Sequence, residues 1–161
     1  DMGTLNGQEL CTAEAAAALL GTAQSALRLI SRPLLEAPVV SSEHSLDEWE
    51  SLAWHATRLR SACEGLVACL YPPHDELDEL QGQVEAVSNT LELMLSELPP
   101  EYFGGEEGEG EGDGEEEHGE EARTQQQRLQ QQAEAVLREL ETAVGRLTDE
   151  LSRQGRPAGG A

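Results

Sequence analysis

Four stretches of the chain repeat apolar residues at helical intervals. In Leu77, Leu80, Val84, Val87, Leu91, Met94 and Leu98 the steps alternate between three and four. Leu129, Ala133, Val136, Leu140, Ala143, Leu147 and Leu151 are spaced in the same manner, as are Leu46, Trp49, Leu52, Ala56, Leu59, Cys63, Leu66 and Leu70. A looser set is Ala13, Ala16, Leu20, Leu27, Ile30 and Leu34. Such steps put every member on one side of an α-helix. A hydrocarbon stripe that narrow is driven out of water, against another helix of the chain or of a partner. No stretch alternates with a period of two over strand length, and Val39-Val40 is too short for a strand. The pattern predicts an all-α protein, an antiparallel bundle of about four amphipathic helices.

The breaks between stripes divide the chain. The first helix is expected from Gln8 to Leu35, with Pro33 close to its end and Pro38 as the stop. Ser45-Leu46-Asp47-Glu48 reads as a capping box, with Ser45 at the cap and Glu48 three residues on, so the second helix starts there. It runs to Leu70, where Tyr71-Pro72-Pro73 forces extended backbone. The third helix begins near Asp75, whose carboxylate can cap the Asp78 amide, and ends at Leu98 before Pro99-Pro100. The fourth runs from Thr124 to Arg153, with Gly155 and Pro157 beyond it.

Between the last two helices, residues 101–121 hold eleven acidic residues and no cation, and glycine alternates with Glu or Asp from Glu107 to Glu115. Glycine entropy and charge repulsion both oppose folding there. The organisation expected is a three-helix part over 1–100, a disordered acidic Glu/Gly linker over 101–122, an amphipathic helix over 123–154 and a disordered tail over 155–161. Residues 1–8 are expected to fray. The linker is long enough for the last helix to pack on the first three or on another molecule.

Charge narrows the function. The formal net charge is −22, and all ten cations are arginine. Removing the eleven acids of the linker still leaves −11 on the rest. A surface of this sign repels nucleic acid and anionic membrane alike, and where its charge is used it selects basic partners. The absence of lysine also removes a lysine-rich nuclear import signal. Three cysteines, Cys11, Cys63 and Cys69, form no Cys-x-x-Cys pair and read as buried reduced thiols of a reducing compartment. The apolar run from Ala15 to Leu20 is too short to cross a bilayer.

Reactive chemistry has little to build on. His44, His55, His74 and His118 show no metal-ligand spacing and read as solvent-exposed. The Glu/Gly tract lacks the order of a calcium loop. No nucleophile elbow, phosphate loop or dinucleotide fingerprint occurs, so neither an enzyme nor a bound cofactor is expected. Trp49 lies on the second stripe and reads as core. Trp54, five residues on, lies about 140° away and reads either as a partner hot spot or as a lid on the bundle rim. Arg58 and Arg60 read as members of local ion pairs. The arginines of the fourth helix, interspersed with Glu and Asp, read as the solvated flank of a coiled coil.

The order of these features resembles a known family. A helix entered at Leu46-Asp47-Glu48 and left at Leu70-Tyr71-Pro72-Pro73, then an amphipathic helix carrying Val84, Val87 and Leu91, is similar to the C-terminal half of the cyclin-D1-binding protein family, also called Grap-and-cyclin-D-interacting proteins. The opening Gln8-Glu9-Leu10 and the small-residue helix after it are similar as well, so the resemblance covers residues 8–98. It implies an all-helical, non-enzymatic regulator that binds cyclin D, lowers phosphorylation of retinoblastoma protein and restrains the transcription that protein controls. It further implies a helix-loop-helix-like protein without a basic region, found in nucleus and cytoplasm. Ser41, Ser42, Glu43 and His44 stand where a basic region would precede the second helix. The family's N-terminal half is not represented in these residues, and the acidic tract is longer than the family pattern.

The expected function is a protein-interaction module that sequesters cyclin D or another helical regulatory protein, by helix-in-groove binding or by homo- or hetero-dimerisation. The candidate contact residues are Trp54, Leu59, Leu66, Tyr71, Val84, Leu91 and Leu98, on stripes expected to stay partly exposed. The alternatives are a homo-oligomeric coiled-coil scaffold zipped by the fourth helix, and an acidic chaperone for basic proteins that uses residues 101–121.

Overall fold

The computed structural model describes residues 6–36, 43–71, 77–98 and 116–156. It is all-α. Four helices follow one another as α1 (Gly7–Glu36), α2 (Glu43–Cys69), α3 (Leu77–Ser96) and α4 (Glu116–Gln154). No strand occurs among the described residues.

The start of α1 is built by side chains, where fraying was expected. Asn6 Oδ1 accepts hydrogen bonds from the Gln8 and Glu9 amides at 3.0 and 2.9 Å. Glu9 Oε2 reaches back to accept from the Asn6 amide at 2.8 Å. This reciprocal pair satisfies three amides that the first turn leaves without partners. The capping box expected at Ser45 is not where α2 begins. That helix already includes Glu43, so Ser45 lies inside its first turn. The Asp75 cap lies outside the described residues.

The far end of α2 matches the expected break. Leu70 and Tyr71 donate to Val67 and Ala68 carbonyls in tightened turns of i→i−3 type, and Tyr71 then leaves the helix. Helix α4 starts eight residues before the expected Thr124, at Glu116. Residues 116–122 of the expected linker are therefore helical, and 101–115 lie outside the described residues. The physical reason is composition. After Gly114 the alternation with glycine ends, and only Gly119 interrupts a run of good helix formers. Acidic residues at a helix N-terminus also favour its dipole. At the other end the Gly155 amide donates to the Leu151 carbonyl at 3.0 Å and closes the last turn.

The helices associate as two antiparallel pairs joined through α3. Helix α1 packs chiefly on α4, and α2 packs on α3; α3 in turn touches α4 and, more lightly, α1. Polar contacts fix both directions. Gln154 Nε2, at the end of α4, donates to Thr12 Oγ1 at 2.6 Å and to the Gln8 carbonyl at 3.1 Å, near the start of α1. Ser51 and His55 of α2 meet Glu97 just past α3. Farther along this seam, Gly65 faces Gln83, and an added Cβ would stand 2.6 Å from Gln83 Oε1. The missing side chain is what lets Gln83 lie against α2.

The core is aliphatic. Leu19, Leu59, Leu66, Leu80, Leu91, Met94, Leu140 and Leu147 are its largest fully buried members. The buried hydroxyls of Thr12, Thr22 and Thr90 return hydrogen bonds to the carbonyl four residues earlier, so none is left without a partner. In α4 the buried positions Val136, Leu140, Ala143, Leu147 and Leu151 follow the expected stripe. In α1 the phase differs. Ala15, Ala16, Leu19, Ala23, Ala26 and Ile30 are buried, whereas Leu27 is exposed and Leu20 only packs at the edge. The run Ala15–Leu20 is apolar on every side, so spacing alone cannot say which face turns inward.

Replacing Leu147 by Ala removes a fully buried side chain between α4 and its neighbours, and should cost about 2–5 kcal/mol in urea denaturation. Asn6→Ala should cost about 0.5–2 kcal/mol through loss of the α1 cap.

Candidate partner-binding surface

Of the seven candidate contact residues, five lie inside the chain. Leu59, Leu66, Val84, Leu91 and Leu98 are all buried, the first four at 1 % exposure or less. The expectation that their stripes stay partly exposed is corrected. Helices α2 and α3 close those stripes on each other, and α4 covers part of α3, so no other molecule is needed to dry them. Trp54 and Tyr71 are the two that the structure leaves open, at 57 % and 77 % exposure.

The surroundings of Trp54 are ordered by charge and aromatic contact. The Arg58 guanidinium lies over its ring, 4.8 Å from the centroid, a contact that differs from the local ion pair expected of Arg58; an arginine one turn later can reach an indole face. On the inner side the His55 ring meets it edge-on, with centroids 5.0 Å apart and planes at 70°. His55 is itself buried. That corrects the expectation of a solvent-exposed histidine. Its Nε2 lies 3.1 Å from Glu97 Oε2, and its Nδ1 is buried with no hydrogen-bond partner among the described residues. Because a carboxylate only accepts, the Nε2 nitrogen must carry the hydrogen of that bond. Side chains at positions 44, 74 and 118 lie outside the described ones.

Ser51 Oγ donates to the same Glu97 oxygen at 3.1 Å. Asp47, Glu48, Ser51 and Glu97 line a recess of about 300 Å³ beside this cluster. Serine, histidine and a carboxylate thus meet, but not as a nucleophile with its base. Both Ser51 and His55 direct their hydrogen bonds to Glu97, and the cluster ties α2 to the end of α3. No group of three or more metal-ligating side chains comes together among the described residues.

Three further arginines make local pairs. Arg60 Nε lies 2.9 Å from Glu64 Oε1, Arg138 Nη2 3.5 Å from Glu134 Oε2 and Arg153 Nη1 2.8 Å from Glu150 Oε1. Each joins residues one helical turn apart. The hydrogen bond and charge of Glu64 raise the Arg60 pKa above its ordinary value. Burial, with a smaller contribution from Glu64, pushes the Cys63 thiol up, so it stays protonated near neutral pH. All three cysteines are free thiols, but the expectation that they are buried is corrected: Cys11 is exposed, and Cys63 and Cys69 are only half-buried.

Sequence reasoning missed His55 and Glu97 because their partnership joins residues far apart in the chain. A clue existed in the register. His55 falls between Leu52 and Leu59 on the face that α2 turns to α3. No described helix is long and apolar enough to cross a membrane. Comparison with protein-family models, with curated proteins and with solved structures returns no match.

Removing the Glu97 carboxylate strands a buried imidazole N–H. Glu97→Ala should therefore destabilise the fold by about 1–3 kcal/mol. Ser51→Ala, which loses a single exposed hydrogen bond, should cost less than about 1 kcal/mol by the same denaturation measurement.

Proposed function

We propose that this chain is a non-enzymatic protein-interaction module that presents α2 to a helical regulatory partner. The observation that carries the reading is the pairing of Trp54 and Arg58, two residue types favoured at binding hot spots, on an exposed face of a helix whose opposite face is closed on α3. Tyr71 extends that exposed set past the end of the helix. The resemblance of residues 8–98 to cyclin-D-binding regulators makes cyclin D the first partner to test. On that reading the chain would act in nucleus and cytoplasm, by occupying cyclin D and thereby restraining retinoblastoma-controlled transcription.

The scaffold alternative draws less support. Its zipper was to be the stripe of α4, and that stripe is spent on α1 and α3 within one chain. The acidic-chaperone alternative rests on residues that lie mostly outside the described ones.

Capture of cyclin D by the 161-residue chain tests the reading. Wild-type protein should retain cyclin D, and Trp54→Ala combined with Tyr71→Ala should lower capture at least fivefold without moving the melting temperature. No capture by the wild-type chain removes cyclin D as partner. Leu91→Asp is unsuitable as a probe, since it puts a charge in the core and unfolds the protein whatever its partners.

A further inference from the structure

Helix α2 carries two apolar seams, and the structure closes one. Leu52, His55, Leu59, Ala62 and Leu66 are buried on the side packed against α3. A second set, Leu46, Trp49, Ala53, Ala56, Arg60, Cys63, Val67 and Leu70, follows the same alternation of three and four steps. Within it, Trp49, Ala56, Cys63 and Leu70 lean on the core edge and are half-buried. Leu46, Ala53, Arg60 and Val67 stand open, with Leu46 55 % and Val67 46 % exposed. The open positions fall seven residues apart, which is the a-position spacing of a coiled coil. From Leu46 to Val67 the seam is about 30 Å long at 1.5 Å per residue.

We propose that this second seam is the docking face for one amphipathic helix of a basic partner. The proposal rests on the protein-interaction reading above and adds a second contact face of α2, one to which Trp54 and Arg58 do not belong, together with the chemistry of its occupant. The spacing selects a helix, because only a second helix repeats knobs at matching intervals over that length. Ala53, Ala56 and Cys63 are small and leave room for the partner's larger side chains.

Charge selects the sign. The outward border of the seam holds Glu50 and Glu64, both exposed and each four residues after an open position of the seam. Arg60, the one cation within the seam, is already paired with Glu64. Arg58 is engaged with Trp54. Lysine or arginine on the flank of an incoming helix would meet Glu50 and Glu64. A second copy of this chain would bring the same carboxylates, on a molecule that also carries −22.

A defined probe tests this. A fluorescein-labelled 26-residue helical peptide with leucine at a and d and lysine at e and g is titrated with the full chain in physiological salt, beside a counterpart with glutamate in place of lysine. The lysine peptide should bind one-to-one and the glutamate peptide should not. Leu46→Asp combined with Val67→Glu should weaken binding at least tenfold, although it makes the chain more negative. Ala53→Glu, at an exposed site where glutamate forms helix well, should do the same. Leu10→Asp, at an exposed leucine of α1, should leave the affinity unchanged. Circular dichroism checks that the variants keep wild-type helicity.

Three results overturn the proposal. The lysine peptide may fail to bind, or bind the seam variants as well as or better than wild type, which shows attraction by charge alone. The chain may sediment as a dimer that the seam variants dissociate, which makes a second copy the occupant. Cyclin D may be captured equally by wild type and seam variants. That last result leaves the interaction reading standing and removes only this face.

Discussion

Helix α3 must bury hydrocarbon toward α2, toward α4 and toward α1 at once, and the rest of the fold depends on its doing so. Leu80, Val84, Val87, Leu91 and Met94 are essentially without solvent exposure. Each such side chain contributes on the order of 1.5–3 kcal/mol when fully buried. Among the described residues, Gln154 hydrogen-bonds the end of α4 to the start of α1, and Ser51 and His55 of α2 converge on Glu97 just past α3. These bonds set direction and register at the ends of the two pairs, while the aliphatic seams supply the attraction.

That division explains how a chain of net charge −22 can fold compactly. Every acid whose side chain is described is exposed or half-buried, and Arg60, Arg138 and Arg153 each pair with an acid one turn away along the same helix. Such exposed pairs contribute little stability. The cost falls on α2. With α3 as its main neighbour, it keeps Leu46, Trp54 and Val67 in contact with water, and from there the interaction reading follows.

The fold class was legible because three of the stripes are strict. In α3 and α4 the expected positions are the buried ones, from Leu80 to Leu98 and from Val136 to Leu151. Helix α1 was legible as a helix but not in its rotation, since alanine and leucine surround the whole of Ala15–Leu20. Which helices pair was not legible, because equal stripes carry no address. The start of α4 was placed late because acidity was taken as disorder, although glutamate without glycine is a good helix former. The cap at Asn6 was missed beside a more familiar Ser-x-x-Glu pattern at Ser45. Among the candidate contacts, exposure could not be separated from burial at Leu59, Leu66, Val84, Leu91 and Leu98, since a stripe read alone does not tell its partner in the same chain from one in another.

The central claim is that all four helices close their stripes within one chain, with α4 folded back on α1 and α3. Hydrogen exchange of the isolated 161-residue chain, resolved by peptide, tests it most directly. The account predicts that amides from Val136 to Leu151 exchange as slowly as those of Leu80 to Leu95, and that both sets open together. Exchange of the α4 amides at the rate of an unstructured peptide, with α3 still protected, would contradict it.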